Sequence, residues 1–293
     1  MSFRYPGGKR KVKKEIAGRI LRFYRNDKMK NRLYIEPFFG AGAICLNLLS
    51  SQLPTNKILI NDIDPGIASY WQSVIKTPKE LCELVKDFKP SVDLFYEYKD
   101  ILLKLKPEDF NKDDCLQIGF MKLAIHQISY SGLGTLAGGP IGGRNQKSKY
   151  KVDCRWNASF IIKNIWKEHH YLKPVTLGFD CRHFTDIFFT YDAILSFYYL
   201  DPPYFVKGGE LYQHSFTEED HSQLAQSLKM TSSHWLLSYD DCEEIRELYD
   251  WAEIIELNMN YSINGSVTKK ELLITHPRFK DLLEPLKENE VIF

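Results

Sequence analysis

Three absences bound this chain of 293 residues. No two of its six cysteines lie closer than the 27 residues between Cys154 and Cys181, so no Cys-x-x-Cys pair exists to seed a zinc or redox site. Most of these cysteines read as small buried hydrophobes. No apolar run approaches the ~18 residues that a bilayer demands, and no signal-peptide core follows the basic N-terminus, which points to a cytoplasmic protein. Net charge is nearly absent as well: 39 Lys and Arg stand against 38 Asp and Glu, and the formal +1 gives no whole-chain reason to expect a polyanionic partner.

That balance is an average over unlike parts. Residues 1–32 carry 12 basic residues against Glu15 and Asp27, and residues 133–176 carry 8 against Asp153 and Glu168. One basic face with an acidic back would give such a count, and so would ordinary solvated helix faces.

Short apolar runs rich in β-branched and aromatic residues predict strands at Leu33–Glu36, Lys57–Asp62, Ile194–Asp201, His234–Tyr239, Ile254–Met259 and Lys270–His276. Helical patterns fall between them, at Ala41–Ser50, Pro65–Ile75, Glu218–Lys229 and Asp241–Asp250. Thr217 is placed to cap the third of these. Strand alternating with helix predicts an α/β fold with a mostly parallel sheet. Residues 78–166 break the rhythm: helices at Lys79–Asp87 and Cys115–Ser131 run into a loop with 6 glycines between Gly132 and Gly143. This stretch reads as an insertion forming a second, smaller domain.

Two motifs carry chemistry. Glu36-Pro37-Phe38-Phe39-Gly40-Ala41-Gly42 follows a predicted strand and opens a predicted helix, where glycines let a ligand approach the backbone and the helix start offers free N–H donors. Asp62, at the end of the second strand, stands where an acid grips the hydroxyls of a ribose. A tight turn without ligand gives the same pattern, and the third glycine of a dinucleotide fingerprint is missing, with Leu46 and Asn47 in its place. The second motif, Asp201-Pro202-Pro203-Tyr204, ends the third predicted strand. An exocyclic amino group on a base is a poor nucleophile because its lone pair is delocalised into the ring. Donating its two N–H bonds to the Asp201 carboxylate and the Pro202 carbonyl localises that lone pair for attack on a methyl sulfonium. The prolines stiffen the backbone, and Tyr204 offers a face for the base to stack on.

Taken with Tyr5-Pro6-Gly7-Gly8-Lys9, Asn61-Asp62-Ile63-Asp64, His214-Ser215-Phe216-Thr217, Leu237-Ser238-Tyr239-Asp240 and Lys270-Glu271-Leu272-Leu273-Ile274, these motifs resemble, in order and over nearly the whole chain, the Dam-type (D12 class) DNA adenine-N6 methyltransferases. The resemblance implies a Rossmann-like fold that uses S-adenosylmethionine, with a small helical target-recognition domain. Catalysis would fall to Asp201, Pro202 and Tyr204, and cofactor binding to Tyr5, Lys9, Phe38, Gly40, Asp62, Asp180 and Asp201. Asp180 fits less closely, since Cys181 stands where the family has Phe. Members that read GATC carry Asn-Arg-x-Gly-Tyr-Asn-Gly where this chain has Gln127-Ile128-Ser129-Tyr130-Ser131-Gly132, so their target is not carried over.

A target amino group inside a duplex is unreachable unless the base is flipped out. The insertion supplies Tyr130, Arg144, Lys147, Lys149 and Arg155, interleaved with Tyr150 and Trp156, to hold phosphates. The expectation is therefore an adenine-N6 methyltransferase acting on double-stranded DNA, with residues 1–77 and 167–293 catalytic and 78–166 reading the target. Transfer to cytosine N4, transfer to adenine in RNA, and a non-catalytic DNA-binding protein of the same fold remain as alternatives.

Overall fold

The computed structural model describes residues 1–3, 12–26, 29, 31–55, 57–191, 196–206, 208–211, 213–259 and 269–287. In chain order its elements are α1 (Lys13–Arg25), β1 (Leu33–Glu36), α2 (Ala43–Ser50), β2 (Ile58–Asn61), α3 (Pro65–Lys76), α4 (Pro78–Asp87), α5 (Val92–Lys104), α6 (Leu116–Ile128), α7 (Ala158–Leu172), β3 (Thr176–Asp180), α8 (Phe184–Tyr191), β4 (Ser196–Leu200), α9 (Gly208–Leu211), α10 (Glu218–Met230), β5 (His234–Asp240), α11 (Glu243–Leu248), β6 (Glu253–Met259) and β7 (Lys269–Thr275). The strands form a seven-stranded sheet in the order β3-β2-β1-β4-β5-β7-β6. The chain divides into two compact units, one of Met1–Gly8, Asn61–Arg182 and Glu210–His214, the other of Lys9–Ile60, His183–Gly209 and Ser215–Phe293.

In the second unit, β1 pairs in parallel with β2 and with β4, and β4 pairs in parallel with β5. β1, β2 and β4 are buried at every position, which is why they read as continuous apolar runs without alternation. β7 enters antiparallel between β5 and β6, so the parallel rule holds for the strands that carry the motifs and ends at this hairpin. Trp235, Tyr198, Tyr239, Tyr249, Leu237 and Ile274 centre the core beside them. Each large aromatic ring removes on the order of 150–250 Å² from water.

α1 shows what became of part of the N-terminal charge. Ile16, Ile20 and Tyr24 recur every fourth residue and are buried. Arg19, only 3% exposed, donates to the carbonyls of Leu282 and Glu284, and Arg22 donates to those of Asp281, Glu284 and Pro285. Two of the basic residues counted towards a charged face thus hold the C-terminal 3₁₀ turn, Pro277–Leu283, against α1.

In the first unit, α6 packs on α3, α4 and α5, and α7 packs on α3 and α4. Gly119 of α6 makes the crossing with α3 possible: a Cβ there would lie 2.6 Å from the Ser69 carbonyl oxygen. Asp64 caps α3 by accepting from Gly66 N and Ile67 N, and its other carboxylate oxygen meets Lys122 Nζ at 2.5 Å in an ion pair closed to water. The N-terminal residues are tucked into this unit, with Ser2 bonded to Tyr70 and Glu168, and Phe3 against the rings of Tyr70 and His126. Among the described residues no helix is long and apolar enough to cross a membrane, and no cluster of His, Cys, Asp and Glu could hold a metal.

Candidate active site

β1 and β4 are parallel neighbours, with Leu33 opposite Ser196 and Ile35 opposite Tyr198. Their carboxyl ends therefore emerge side by side, where strand order reverses and open α/β sheets bind ligands. The two motifs found in the sequence leave from these ends.

After β1 the chain turns through Phe38 to Gly42. Gly40 has φ 49° and Gly42 has φ 66°, left-handed values that glycine adopts without strain, and Gly42 N donates to Phe39 O at 2.7 Å. Gly42 is the N-cap of α2 and brings no side chain of its own to the helix start. Phe38 packs on Phe184 and Phe216, with ring centroids 5.8 and 5.4 Å away. The Phe216 partner comes from the His-Ser-Phe-Thr segment, whose Thr217 is the expected cap and is joined by Asp220 in a capping box.

After β4, Asp201 is partly buried and Pro202 is buried. Ser238 Oγ, on the neighbouring β5, donates to Asp201 Oδ1 at 3.3 Å, and Ser238 is itself hydrogen-bonded to the Tyr199 hydroxyl at 2.9 Å. The Tyr204 hydroxyl donates to Glu271 Oε2 at 3.3 Å. Ser238 and Glu271 stand in segments that the sequence singles out only as resemblance; their partners become visible once β5 and β7 are paired.

Glu36, the acid that opens the glycine turn, is 2% exposed. It accepts from the Tyr34 hydroxyl and the Cys45 backbone N–H, yet burial, together with the negative charge of Asp201, pushes its carboxyl up to about 8. Glu36 is thus protonated at neutral pH, which leaves Asp201 without a second full negative charge beside it. Because the folded state holds a proton that the unfolded chain releases near the ordinary carboxylate range, stability falls as pH rises from about 4.5 to about 8, by at most ~1.4 kcal/mol per pH unit. Glu36→Gln keeps the neutral shape and should flatten that slope: in urea denaturation it gains on the wild type from pH 5 to pH 8. Parallel pH profiles would show that Glu36 ionises normally.

In the first unit, Asp62 is 8% exposed, its N–H donates to Asp180 O at 3.2 Å, and its Oδ1 accepts from Asp64 N at 3.0 Å. The Asp180 carboxylate meets Lys112 Nζ and Arg182 Nη2, each at 2.5 Å. Burial pushes Asp180 up, but these two cations outweigh it and hold the group below the usual carboxylate range. Tyr5 and Lys9 lie outside the described residues.

The glycine-rich loop closes on itself. Tyr130 N donates to Gly139 O, Ile141 N donates to Ile128 O, and the Gln146 side chain bonds the carbonyls of Ile141 and Gly143 and accepts from Val152 N. Tyr130 is 67% exposed, and Arg144, Lys147, Lys149 and Arg155 are all exposed, none of them in an ion pair among the described residues. Arg144 lies over the Tyr96 ring at 5.1 Å. Trp156 departs from the surface role expected of it: its ring packs on Phe88 and Phe120 at 4.7 and 6.5 Å, inside the helical unit.

Against known proteins, residues 5–263 match the family model of the D12 class N6 adenine-specific DNA methyltransferases. The type II methyltransferase M.CviBI of Paramecium bursaria Chlorella virus NC1A is 25% identical over 219 residues, 74% of this chain and 76% of that one. The type II methyltransferase M.MjaIII of Methanocaldococcus jannaschii is 25% identical over 215 residues, covering 69% and 68%. The DNA adenine methylase of Escherichia coli K12 is 24% identical over 262 residues, covering 82% and 84%.

Proposed function

The chain belongs to the D12 class of N6 adenine-specific DNA methyltransferases, and from that premise we propose how its residues divide the work. The observation that carries the reading is the departure of Asp201-Pro202-Pro203-Tyr204 from the end of β4, beside the glycine turn that departs from β1.

The Asp201 carboxylate and the Pro202 carbonyl accept the two N–H bonds of a flipped adenine amino group. The nitrogen lone pair is then drawn out of the ring and made nucleophilic. Tyr204 stacks on the base. Fixed acceptors suit this task, because nothing has to reorganise as charge builds on the nitrogen. The Ser238 hydrogen bond holds Asp201 in place, and the neutral state of Glu36 keeps the pocket from carrying two adjacent full charges.

S-adenosylmethionine, when bound, supplies a methyl group on positively charged sulfur. The residues present suit such a ligand: a turn with Gly40 and Gly42 at positive φ, and a mostly buried Asp62 at the end of β2. The family likeness assigns Phe38 and Gly40 to contact it and Asp62 to the ribose hydroxyls. Tyr5 and Lys9 inherit a cofactor role from the family. For Asp180 the same role competes with its two ion pairs. The substrate is double-stranded DNA, and the division of labour is residues 1–77 and 167–293 for catalysis and 78–166 for target recognition.

The test is to express the chain in cells whose DNA lacks N6-methyladenine, then read modified bases by sequencing and identify the nucleoside. N6-methyladenine at one recurring sequence supports the reading. N4-methylcytosine, or no modified base, sinks it. The exposed loop cations give a separate expectation. Neutralising Arg144, Lys147 and Lys149 together should reduce the slope of log affinity against log salt by about 3, close to one unit for each phosphate no longer neutralised. An unchanged slope would remove the loop from the interface.

A further inference from the structure

The two segments that close the sheet behind the tetrapeptide bring a pair of acids to it. On the antiparallel strands β5 and β7, Asp240 stands directly opposite Glu271. Directly opposite residues point their side chains to the same face, with Cβ atoms roughly 5 Å apart. Two carboxylates so placed repel one another unless each is met by donors.

The chain just past Pro203 supplies those donors. Phe205 N donates to Asp240 Oδ1 at 3.1 Å and Val206 N donates to Asp240 Oδ2 at 3.3 Å, while the Tyr204 hydroxyl donates to Glu271 Oε2 at 3.3 Å. Glu271 is 1% exposed, so water cannot take the place of the phenol there at little cost. Backbone and ring are thus gripped by neighbouring residues of one strand pair. We propose that Glu271, with Asp240 beside it, is a positioning residue that fixes the plane of the Tyr204 ring on which the target base stacks.

This inference rests on the reading of Tyr204 as the stacking surface. Without the anchor, a phenyl ring free to rock about its χ angles would present a blurred platform. A base stacked on it would then be misplaced relative to Asp201, and misplacement lowers turnover rather than cofactor affinity. Asp240 grips the backbone of the turn, so its loss would disturb the whole segment. Glu271 meets the ring through its hydroxyl and makes the cleaner probe.

The experiment combines Glu271→Gln, Tyr204→Phe and the double variant with 3-fluorotyrosine placed at position 204. Each single variant should lower kcat about tenfold, the rate equivalent of one charge-assisted hydrogen bond, with KM for S-adenosylmethionine unchanged. The double variant should be no slower than Tyr204→Phe within about twofold, since a shared bond can be lost only once. In the fluorinated protein, Glu271→Gln should shift the ¹⁹F resonance, because the acceptor of the phenol hydroxyl changes from a carboxyl to an amide. Losses that multiply, single variants with full activity, or an unmoved ¹⁹F signal would each overturn the proposal. The ¹⁹F measurement needs no catalysis. A wild type that transfers no methyl group would therefore sink the functional reading while leaving the anchor itself tested.

Discussion

Replacing Asp201 with alanine is expected to lower methyl transfer to DNA by roughly 10³-fold or more while leaving cofactor affinity within a few-fold of the wild type. The size follows from the role proposed for the side chain. On that proposal Asp201 is the charged one of two acceptors for the amino group; it is held by Ser238 at the end of a fully buried strand. Alanine leaves Pro202 to hold one N–H while the other faces an apolar methyl, so the lone pair stays in the ring. Asp201→Asn separates charge from shape: its amide oxygen still accepts one N–H, and its activity should fall between wild type and alanine. Single-turnover transfer of labelled methyl groups, alongside calorimetric cofactor binding, measures both quantities. Near-normal transfer by the alanine variant would refute the mechanism. A large loss of cofactor binding would instead assign Asp201 chiefly to the cofactor.

The largest effect on stability is expected at the buried ion pair of the first unit. Lys122 is 2% exposed and meets Asp64 at 2.5 Å. Lys122→Ala strands a carboxylate out of water and should cost about 3–5 kcal/mol, far more than the lost packing of the aliphatic stem. Burial alone would push the Asp64 carboxyl up, but Lys122 outweighs it and holds the group below the ordinary range. The contribution of the pair is therefore complete above the unfolded carboxylate range and is lost as pH falls through the depressed value of Asp64. Lys122→Met combined with Asp64→Asn removes both charges and keeps the α3 cap oxygen, and it should recover most of the loss. Chemical denaturation of the three proteins at pH 7 and pH 4 decides the matter. A double variant as unstable as Lys122→Ala would mean that the attraction within the intact pair, not the stranded carboxylate, carries the loss.

Legibility followed burial and regularity. β1 appears at its predicted residues, Leu33–Glu36, because a short apolar run bounded by turn residues has few other fates in an α/β chain. α3 and α10 lie within a residue of prediction because Asp64 and Thr217 mark their starts. No prediction covers α1, α5, α7 and α8, although Ile16, Ile20 and Tyr24 in α1 and Phe95, Tyr98 and Leu102 in α5 stand at helical spacing. In α1 Lys13, Lys14, Arg19, Arg22 and Arg25 make five of the 13 residues basic, so the stretch registers as charge before it registers as a helix face. β3 escapes because its burial is uneven, with Leu177 57% exposed. β7 reads as a strand, but its antiparallel insertion between β5 and β6 depends on pairings that no local pattern encodes.

By itself the sequence singled out the residues to which chemistry is assigned here. An acid, two prolines and an aromatic at a strand end, and glycines at a strand-to-helix turn, have a chemical meaning that holds before any coordinate is known. The tertiary structure alone decided what stands behind them. Ser238 reaches Asp201 and Glu271 reaches Tyr204 only because β5 is laid beside β4 and β7 beside β5, across 37 and 67 residues of chain. It also divided the basic residues that the sequence could only count. Arg19 and Arg22 bind carbonyls of the C-terminal turn, while Arg144, Lys147, Lys149 and Arg155 stay exposed. The physical reason is common to both: a side chain's type is fixed by the gene, but its partner, and with it its charge state and freedom, is set by which strand or helix folds against it.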